Sequence, residues 1–388
     1  MKTIRTIHVD IEGGFGGSSR SLYELVSRLD RERFTPLVLH RQKGPIEERY
    51  RKIGIETLHV PEIGSYAPRD KNSFKIFVAS LPRLLRLRKA ANIIAAAAKG
   101  HKADIVHLNY EGLFLLAKLL QKRLDLPFVC HSRTQIPLNR WGQWVVRTLA
   151  KTTNQMFFIS PAEERNFRKL AGDEPFRGEV LWNIATTPEP RKPFAEVPEI
   201  IYLGNVDPEK GTDRLVDVAI ALEQRNAPPM KISIWGKPRV YPEFSRSIEE
   251  RIEQNSVSQR IELCGHTSQP ETVMASAFAL IRPSRWNDPW GRDVLEATRA
   301  GVPVFATGSF DGVVEPERTG YLFDPFDAND IAEKLIALRT DAELWERLSL
   351  NAKEKGEKMY SGAHQRARVQ ALFEELVKRN VVSDSFAE

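Results

Sequence analysis

Ile4-Arg5-Thr6-Ile7-His8-Val9-Asp10-Ile11 runs directly into Glu12-Gly13-Gly14-Phe15-Gly16-Gly17-Ser18-Ser19, and this junction decides the fold. Ile4, Ile7, Val9 and Ile11 fall near a period of two, the spacing of a β-strand. Beyond the glycines, Leu22, Leu25, Val26 and Leu29 recur at i, i+3, i+4 and i+7, one apolar stripe along a helix. A strand follows at 34–40 (FTPLVLH), then a helix at 46–53 and a third strand at 56–60. That alternation builds a parallel, doubly wound sheet. Four glycines in five positions exceed what a tight turn needs. They let backbone N–H groups approach an anion, and the following helix start adds partial positive charge. A nicotinamide dinucleotide site wants an acidic residue at the end of the second strand to hold ribose. His40 and Arg41 stand there instead, which disfavours a dehydrogenase.

The alternation continues outward. Strands are expected at 103–108, 127–131 and 155–160, with helices at 112–124 and 161–170. Pro188, Pro190, Pro193 and Pro198 then mark an inter-domain linker. A second series has strands at 200–203, 231–235, 261–264, 279–282 and 302–306. Its helices are expected near 211–224, 243–255, 269–276, 291–300 and 330–338. The expected organisation is an N-terminal domain at 1–185, a linker at 186–198 and a second domain at 199–365. A C-terminal helix and tail at 366–388 are expected to pack back on the first domain. Two such sheets in tandem imply a deep cleft faced by the C-terminal ends of both, where open α/β sheets bind ligands.

Composition fits two well-packed domains. The chain has 388 residues, too many for one ordinary core, with 41% hydrophobic and 28% well-mixed charged residues. A formal charge of +6 and a pI near 9.2 permit an anionic partner without naming one. Cys130 and Cys264 are far apart, so neither a metal spacing nor a disulfide framework exists; both read as buried, reduced thiols, consistent with the cytosol. The first residues read as a strand rather than a signal peptide, and no run of about 18 apolar residues occurs to span a bilayer.

Two later motifs carry chemistry. Gly204-Asn205-Val206-Asp207-Pro208-Glu209-Lys210-Gly211-Thr212 follows a strand and opens a helix, placing Lys210 within reach of a diphosphate at that helix start. A lysine before a helix is common, so this motif gains weight only from the next one. Pro283-Ser284-Arg285-Trp286-Asn287-Asp288-Pro289-Trp290-Gly291-Arg292-Asp293-Val294-Leu295-Glu296-Ala297 sits between the strand Ala279-Leu280-Ile281 and Gly301-Val302-Pro303-Val304. The loop carboxylate Asp288 can accept from sugar hydroxyls, and Glu296, eight residues on and inside the helix, can bridge two ribose hydroxyls. Gly291 lets the helix start come close to phosphates.

Together these motifs resemble glycosyltransferase family four, the group 1 retaining transferases of GT-B fold. That family shows a glycine-rich loop after strand one, G-R-x-x-x-x-K-G opening the second domain, P-S-x-x-x-E-P-F-G-x-x-x-x-E-A, and then G-x-P-V. The match here runs from the first glycines to Gly320-Tyr321-Leu322, with Trp182-Asn183 like the family's P-N and Gly236 like the glycine closing the next strand. The resemblance implies two Rossmann-like domains and a sugar moved from a nucleotide diphosphate, UDP or GDP, to a saccharide or lipid-linked acceptor. Such acceptors belong to cell-surface polysaccharide, lipopolysaccharide or glycolipid assembly. It implies that Lys210 neutralises the diphosphate, Glu296 holds ribose and Asp288 contacts the sugar. Gly16, Gly17, Gly204, Asn205, Gly236, Trp290 and Gly291 would line the donor. His131, closing Phe128-Val129-Cys130-His131, would touch the donor sugar near the reacting carbon, with His107 a weaker candidate. No cofactor is implied, and the absence of any Asp-x-Asp triplet fits metal independence. Asn205 stands where the family has arginine; Arg282, Arg285 and Arg292 are candidates to compensate. Asp288 stands for the usual glutamate, and Gly312 stands where many members carry an acidic residue.

Between Asp70 and Asp104 there is no acidic residue, while Arg83, Arg86 and Arg88 lie among leucines; 132–162 is again free of acids and carries Trp141 and Trp144. Basic helices with tryptophan suit an anionic leaflet, hence a cytoplasmic protein peripheral to the inner face of the membrane. No aromatic-basic nucleic-acid module is present. Two competing readings are a catalytically impaired sugar-nucleotide-binding or membrane-adaptor protein and a GT-B nucleotide-sugar epimerase.

Overall fold

The computed structural model describes residues 3–14, 16–65, 81–194, 199–238, 241–285, 291–308 and 312–385, for 81–83 and 381–385 the backbone alone. The first sheet comprises β1 Ile4–Asp10, β2 Phe34–His40, β3 Glu56–His59, β4 Ile105–Leu108, β5 Phe128–Ser132, β6 Gln155–Phe158 and β7 Gly178–Val180. Helices α1 Gly17–Val26, α2 Pro45–Lys52, α3 Leu81–His101, α4 Phe114–Gln121, α5 Arg140–Thr152 and α6 Pro161–Ala171 alternate with them. The strands are parallel and ordered β3-β2-β1-β4-β5-β6-β7, so the order reverses between β1 and β4.

The second sheet comprises β8 Glu199–Leu203, β9 Lys231–Trp235, β10 Ile261–Gly265, β11 Ala277–Arg282, β12 Val304–Thr307 and β13 Gly320–Phe323, ordered β10-β9-β8-β11-β12-β13. It too is parallel and reverses between β8 and β11. Its helices are α7 Arg214–Gln224, α8 Pro242–Gln254, α9 Pro270–Ala275, α10 Arg292–Ala300, α11 Ala328–Thr340 and α12 Ala342–Tyr360. The last helix, α13 Ala363–Ser385, belongs to the first unit: the chain divides into 1–184 with 362–388, and 185–361.

Alternation along the strands sorts the first core. Ile7, Val9, Val106, Leu108 and Phe128 face Leu87, Ile94, Leu116 and Val145 of α3, α4 and α5. Val38, Ile105, Val129 and Phe157 face Leu22 of α1, Tyr50 of α2 and Val369, Leu372, Phe373 and Leu376 of α13. The α13 residues are spaced i, i+3, i+4 and i+7, and burying each contributes about 2 kcal/mol.

Several boundaries differ from the sequence reading for identifiable reasons. The helix expected at 112–124 is a short 3-10 turn at Glu111–Leu113 followed by α4, which ends at Gln121. The helix expected from 211 begins at Arg214, because Gly211 adopts a left-handed conformation (φ 67°) after a 3-10 turn at Pro208–Lys210. The proline-bearing segment after 185 is held on the second unit. Lys192 N–H donates to the Ala275 carbonyl at 2.9 Å, and the Arg191 guanidinium lies over the Trp345 ring at 4.2 Å. The break between α12 and α13 falls at Gly362, whose φ is +98°. Cys130 is buried, but Cys264, near the end of edge strand β10, is half-buried; both are free thiols.

Candidate functional site

In the second unit, three glycines weld the strand ends at the reversal point. A Cβ on Gly236, just after β9, would lie 1.8 Å from the Gly204 carbonyl just after β8. A Cβ on Gly211 would lie 2.0 Å from the Pro283 carbonyl just after β11. Only glycine permits these approaches. They hold the loop carrying Lys210 against the loop entering α10, where Arg285 N–H donates to the Glu209 carbonyl at 3.0 Å and Arg214 Nη1 donates to the Pro283 carbonyl at 3.2 Å. Lys210 is half-buried; Gly204 and Asn205 are exposed. The Asn205 carbonyl accepts from the Tyr202 hydroxyl at 2.7 Å.

Gly291 caps α10 with no side-chain cap. A Cβ on it would overlap the Arg282 guanidinium, which is ion-paired with Asp293 in the first turn; both side chains are buried. Glu296, one turn further, accepts from Arg292 at 2.9 Å and from the Thr186 hydroxyl at 3.3 Å. It is largely buried and borders a small pocket with Pro188, Pro270 and Met274. Each arginine offered as a substitute for the family's loop arginine is thus paired with a carboxylate: Arg282 with Asp293, Arg285 with Asp213 at 2.5 Å, and Arg292 with Glu296. Burial works against the Asp213 carboxylate, but Arg285 more than offsets it and holds its pKa below the usual range. Asp288 and Trp290 lie outside the described residues.

In the first unit, Gly16 caps α1 and Gly17 begins it, again with no side-chain cap. A Cβ on Gly16 would meet the Glu12 carboxylate. Beneath this loop lies a polar network that the sequence reading missed. The buried Asp10 carboxylate, at the end of β1, accepts from Ser19 Oγ and from Asn109 Nδ2, the latter at 3.2 Å. Asn109 Nδ2 also donates to the Ser18 carbonyl at 3.1 Å. The Asn109 side-chain oxygen accepts from Arg133 Nε at 2.9 Å and Nη2 at 2.6 Å, and Arg133 Nη1 donates to Asn183 Oδ1 at 2.7 Å. Glu111 accepts from the Arg133 backbone N–H at 2.7 Å; burial pushes its carboxyl pKa up, partly offset by that bond. The available signal was an aspartate closing the first strand and an asparagine closing the fourth, both at the reversal point.

His131, near the end of β5, is 3% exposed. Its Nδ1 meets His107 Nε2 at 2.7 Å, so the two histidine candidates are in contact rather than alternatives. Burial first, then Arg133, depresses its pKa well below the ordinary histidine value, so the ring is neutral near pH 7.

Among the basic-patch candidates, Arg86 and Arg88 on α3 are exposed, as are Leu85 (63%), Leu138 (59%) and Trp144 (38%). Trp141 is half-buried and packs on the core beside Trp144 and Phe114, so it is partly structural. The Arg83 side chain lies outside the described residues. No described helix is long and apolar enough to cross a membrane.

Two parallel sheets, each reversed at its centre, with glycine-lined strand ends define a GT-B glycosyltransferase architecture. Residues 15–185 match Glycosyltransferase Family 4 and residues 184–355 match Glycosyl transferases group 1; the chain belongs to this family of glycosyltransferases. An uncharacterized glycosyltransferase of Methanocaldococcus jannaschii is 24% identical over 344 residues, 80% of this chain and 91% of that protein. The sulfoquinovosyl transferase of Arabidopsis thaliana is 25% identical over 306 residues, 71% of this chain and 57% of that protein. Among solved structures, Anabaena HepE in complex with UDP-glucose superimposes with a TM-score of 0.76 at 16% identity, covering 96% of this chain and all of that one.

Proposed function

We propose that this glycosyltransferase moves a sugar from a nucleotide diphosphate to a saccharide or lipid-linked acceptor, without a metal and with retention of configuration. The observation that carries the reading is the welded strand end of the second unit, where Gly211 against Pro283 and Gly204 against Gly236 set Lys210 beside the entry to α10. There a diphosphate would meet a lysine ammonium and an uncapped helix N-terminus, two sources of positive potential that strengthen as the leaving group gains charge. On this reading Glu296 of α10 accepts from ribose hydroxyls after exchanging its bond from Thr186. In the reaction the bond from the anomeric carbon to the phosphate oxygen breaks. The acceptor hydroxyl attacks the same face, and its proton passes to the departing diphosphate. HepE was solved with UDP-glucose, which makes a uridine donor the first to try.

A thermal-shift panel of nucleotide sugars tests this. The correct donor is expected to raise the melting temperature, with stabilisation of about 2.7 kcal/mol at a hundredfold excess over Kd. Its transfer product should form with EDTA present. Stabilisation without turnover on any acceptor would favour an impaired binding protein, and conversion of the donor without acceptor would favour an epimerase.

The exposed Leu85, Arg86 and Arg88 of α3 and the exposed Leu138, Arg140 and Trp144 around the start of α5 support docking on an anionic leaflet, α3 and α5 both packing against α4. Each arginine near such a surface contributes about 1 kcal/mol. Reversing Arg86 and Arg88 to glutamate is expected to weaken binding to anionic vesicles at least thirtyfold, roughly 2 kcal/mol. Flotation unaffected by the change, or by salt, would remove the docking surface.

A further inference from the structure

The parallel register of the first sheet places Thr6 and His8 of β1, His107 of β4 and His131 of β5 on one face, and they touch in series. Thr6 Oγ1 lies 2.8 Å from His8 Nε2, His8 Nδ1 lies 3.0 Å from His107 Nδ1, and His107 Nε2 lies 2.7 Å from His131 Nδ1. Thr6, His8 and His107 are fully buried, and only His131, near the strand end, has any exposure. The three contacts engage five of the six ring nitrogens; the sixth, His131 Nε2, makes no hydrogen bond among the described residues.

Proton counting fixes what that nitrogen carries. Three neutral imidazoles and one hydroxyl hold four protons, and the three contacts of the chain use one each. The fourth sits at one end: on His131 Nε2, or on a Thr6 hydroxyl turned away from His8. Among the described residues Thr6 Oγ1 has no hydrogen-bond partner but His8, and Thr6 is fully buried, so turning the hydroxyl away leaves a buried O–H without that partner. The chain therefore runs from Thr6 O–H to His8 Nε2, from His8 Nδ1–H to His107 Nδ1, and from His107 Nε2–H to His131 Nδ1.

We propose that the buried Thr6–His8–His107 chain locks His131 in the tautomer with Nε2 protonated, making it a hydrogen-bond donor to a sugar oxygen and barring it from acting as the general base. Thr6, His8 and His107 are positioning residues; His131 alone would touch substrate. This rests on the reading that His131 faces the donor sugar. Neutrality of the chain is supported by burial, which pushes His8 down to about 3 and depresses His107 and His131 as well. The consequence for the reaction is that the acceptor proton leaves with the diphosphate, since no base is available at His131.

The test is a two-bond proton–nitrogen correlation spectrum of the full chain labelled with nitrogen-15 histidine, with His131 assigned by the loss of its signals in His131→Gln. The proposal expects His131 with Nε2 protonated and Nδ1 bare. The opposite pattern in the wild type would overturn it. Thr6→Val, close in shape but lacking the hydroxyl, is expected to add a second population with Nδ1 protonated. It should lower kcat about tenfold at unchanged donor KM, the worth of one neutral hydrogen bond. Thr6→Ser should restore both. An unchanged His131 spectrum in Thr6→Val would remove the role of Thr6. Full transfer by His131→Gln, alongside the expected wild-type spectrum, would instead sink the sugar-contact reading and leave the tautomer lock standing.

Discussion

Lys210→Ala is expected to lower kcat/KM for sugar transfer by about 10²–10³, in line with removal of one preorganised group that stabilises developing charge. The size follows from what surrounds it. Lys210 is the sole cation of the 204–211 loop, because Asn205 occupies the position where the family carries arginine. The arginines nearby are committed elsewhere: Arg282 to Asp293, Arg285 to Asp213 and Arg292 to Glu296. If the diphosphate binds as proposed, removing Lys210 takes away the loop's cation and leaves the α10 N-terminus as the remaining source of positive potential. Lys210→Arg should retain much of the activity, because charge matters more here than shape. A loss under threefold in the alanine variant, measured with saturating acceptor, would mean that the diphosphate is held somewhere else.

The second large effect is loss of stability in acid. His8, His107 and His131 are buried, and burial depresses all three pKa values, His8 to about 3. In the unfolded chain each returns to the ordinary value near 6.5. Below that value the unfolded state takes up protons that the folded state refuses. Stability is therefore complete above about pH 6.5 and falls as the pH drops toward the folded values. Each histidine contributes a slope approaching 1.4 kcal/mol per pH unit, so the three together approach roughly 4 kcal/mol per unit. For a unit of this size the melting temperature of the first unit should drop by about 10 °C between pH 6 and pH 5. Glu111, with its pKa raised by burial, acts in the opposite sense but is one group against three. A melting temperature flat across that interval would contradict neutral burial of the chain.

How much of this was legible in the sequence depended on the range of the interactions involved. The alternation of strands and helices, and the positions of the glycine loop, Lys210 and Glu296 before or within helices, were readable because each rests on local spacing: a period of two or 3.6, or a glycine beside a helix start. The left-handed Gly211 that delays α7 was not, because its reason is the Pro283 carbonyl 72 residues away in the chain. The same holds for Asp10, Asn109 and Arg133, which meet only once β1 and β4 become neighbours. His8 reads in sequence as one more residue of an alternating strand. Its pairing with His107 appears only when parallel register sets those two residues side by side. The packing of Trp141 was hidden for a related reason, since its spacing along a basic helix gave no sign of the Phe114 ring beside it.

The most direct measurement is a pair of calorimetric titrations, UDP and uridine, each into the wild-type chain and Lys210→Ala. If the second unit grips a diphosphate through Lys210, UDP should bind the wild type at least tenfold more tightly than uridine, and most of that advantage should vanish in the variant. Equal affinity for UDP and uridine in the wild type, or an advantage that survives the substitution intact, would contradict it.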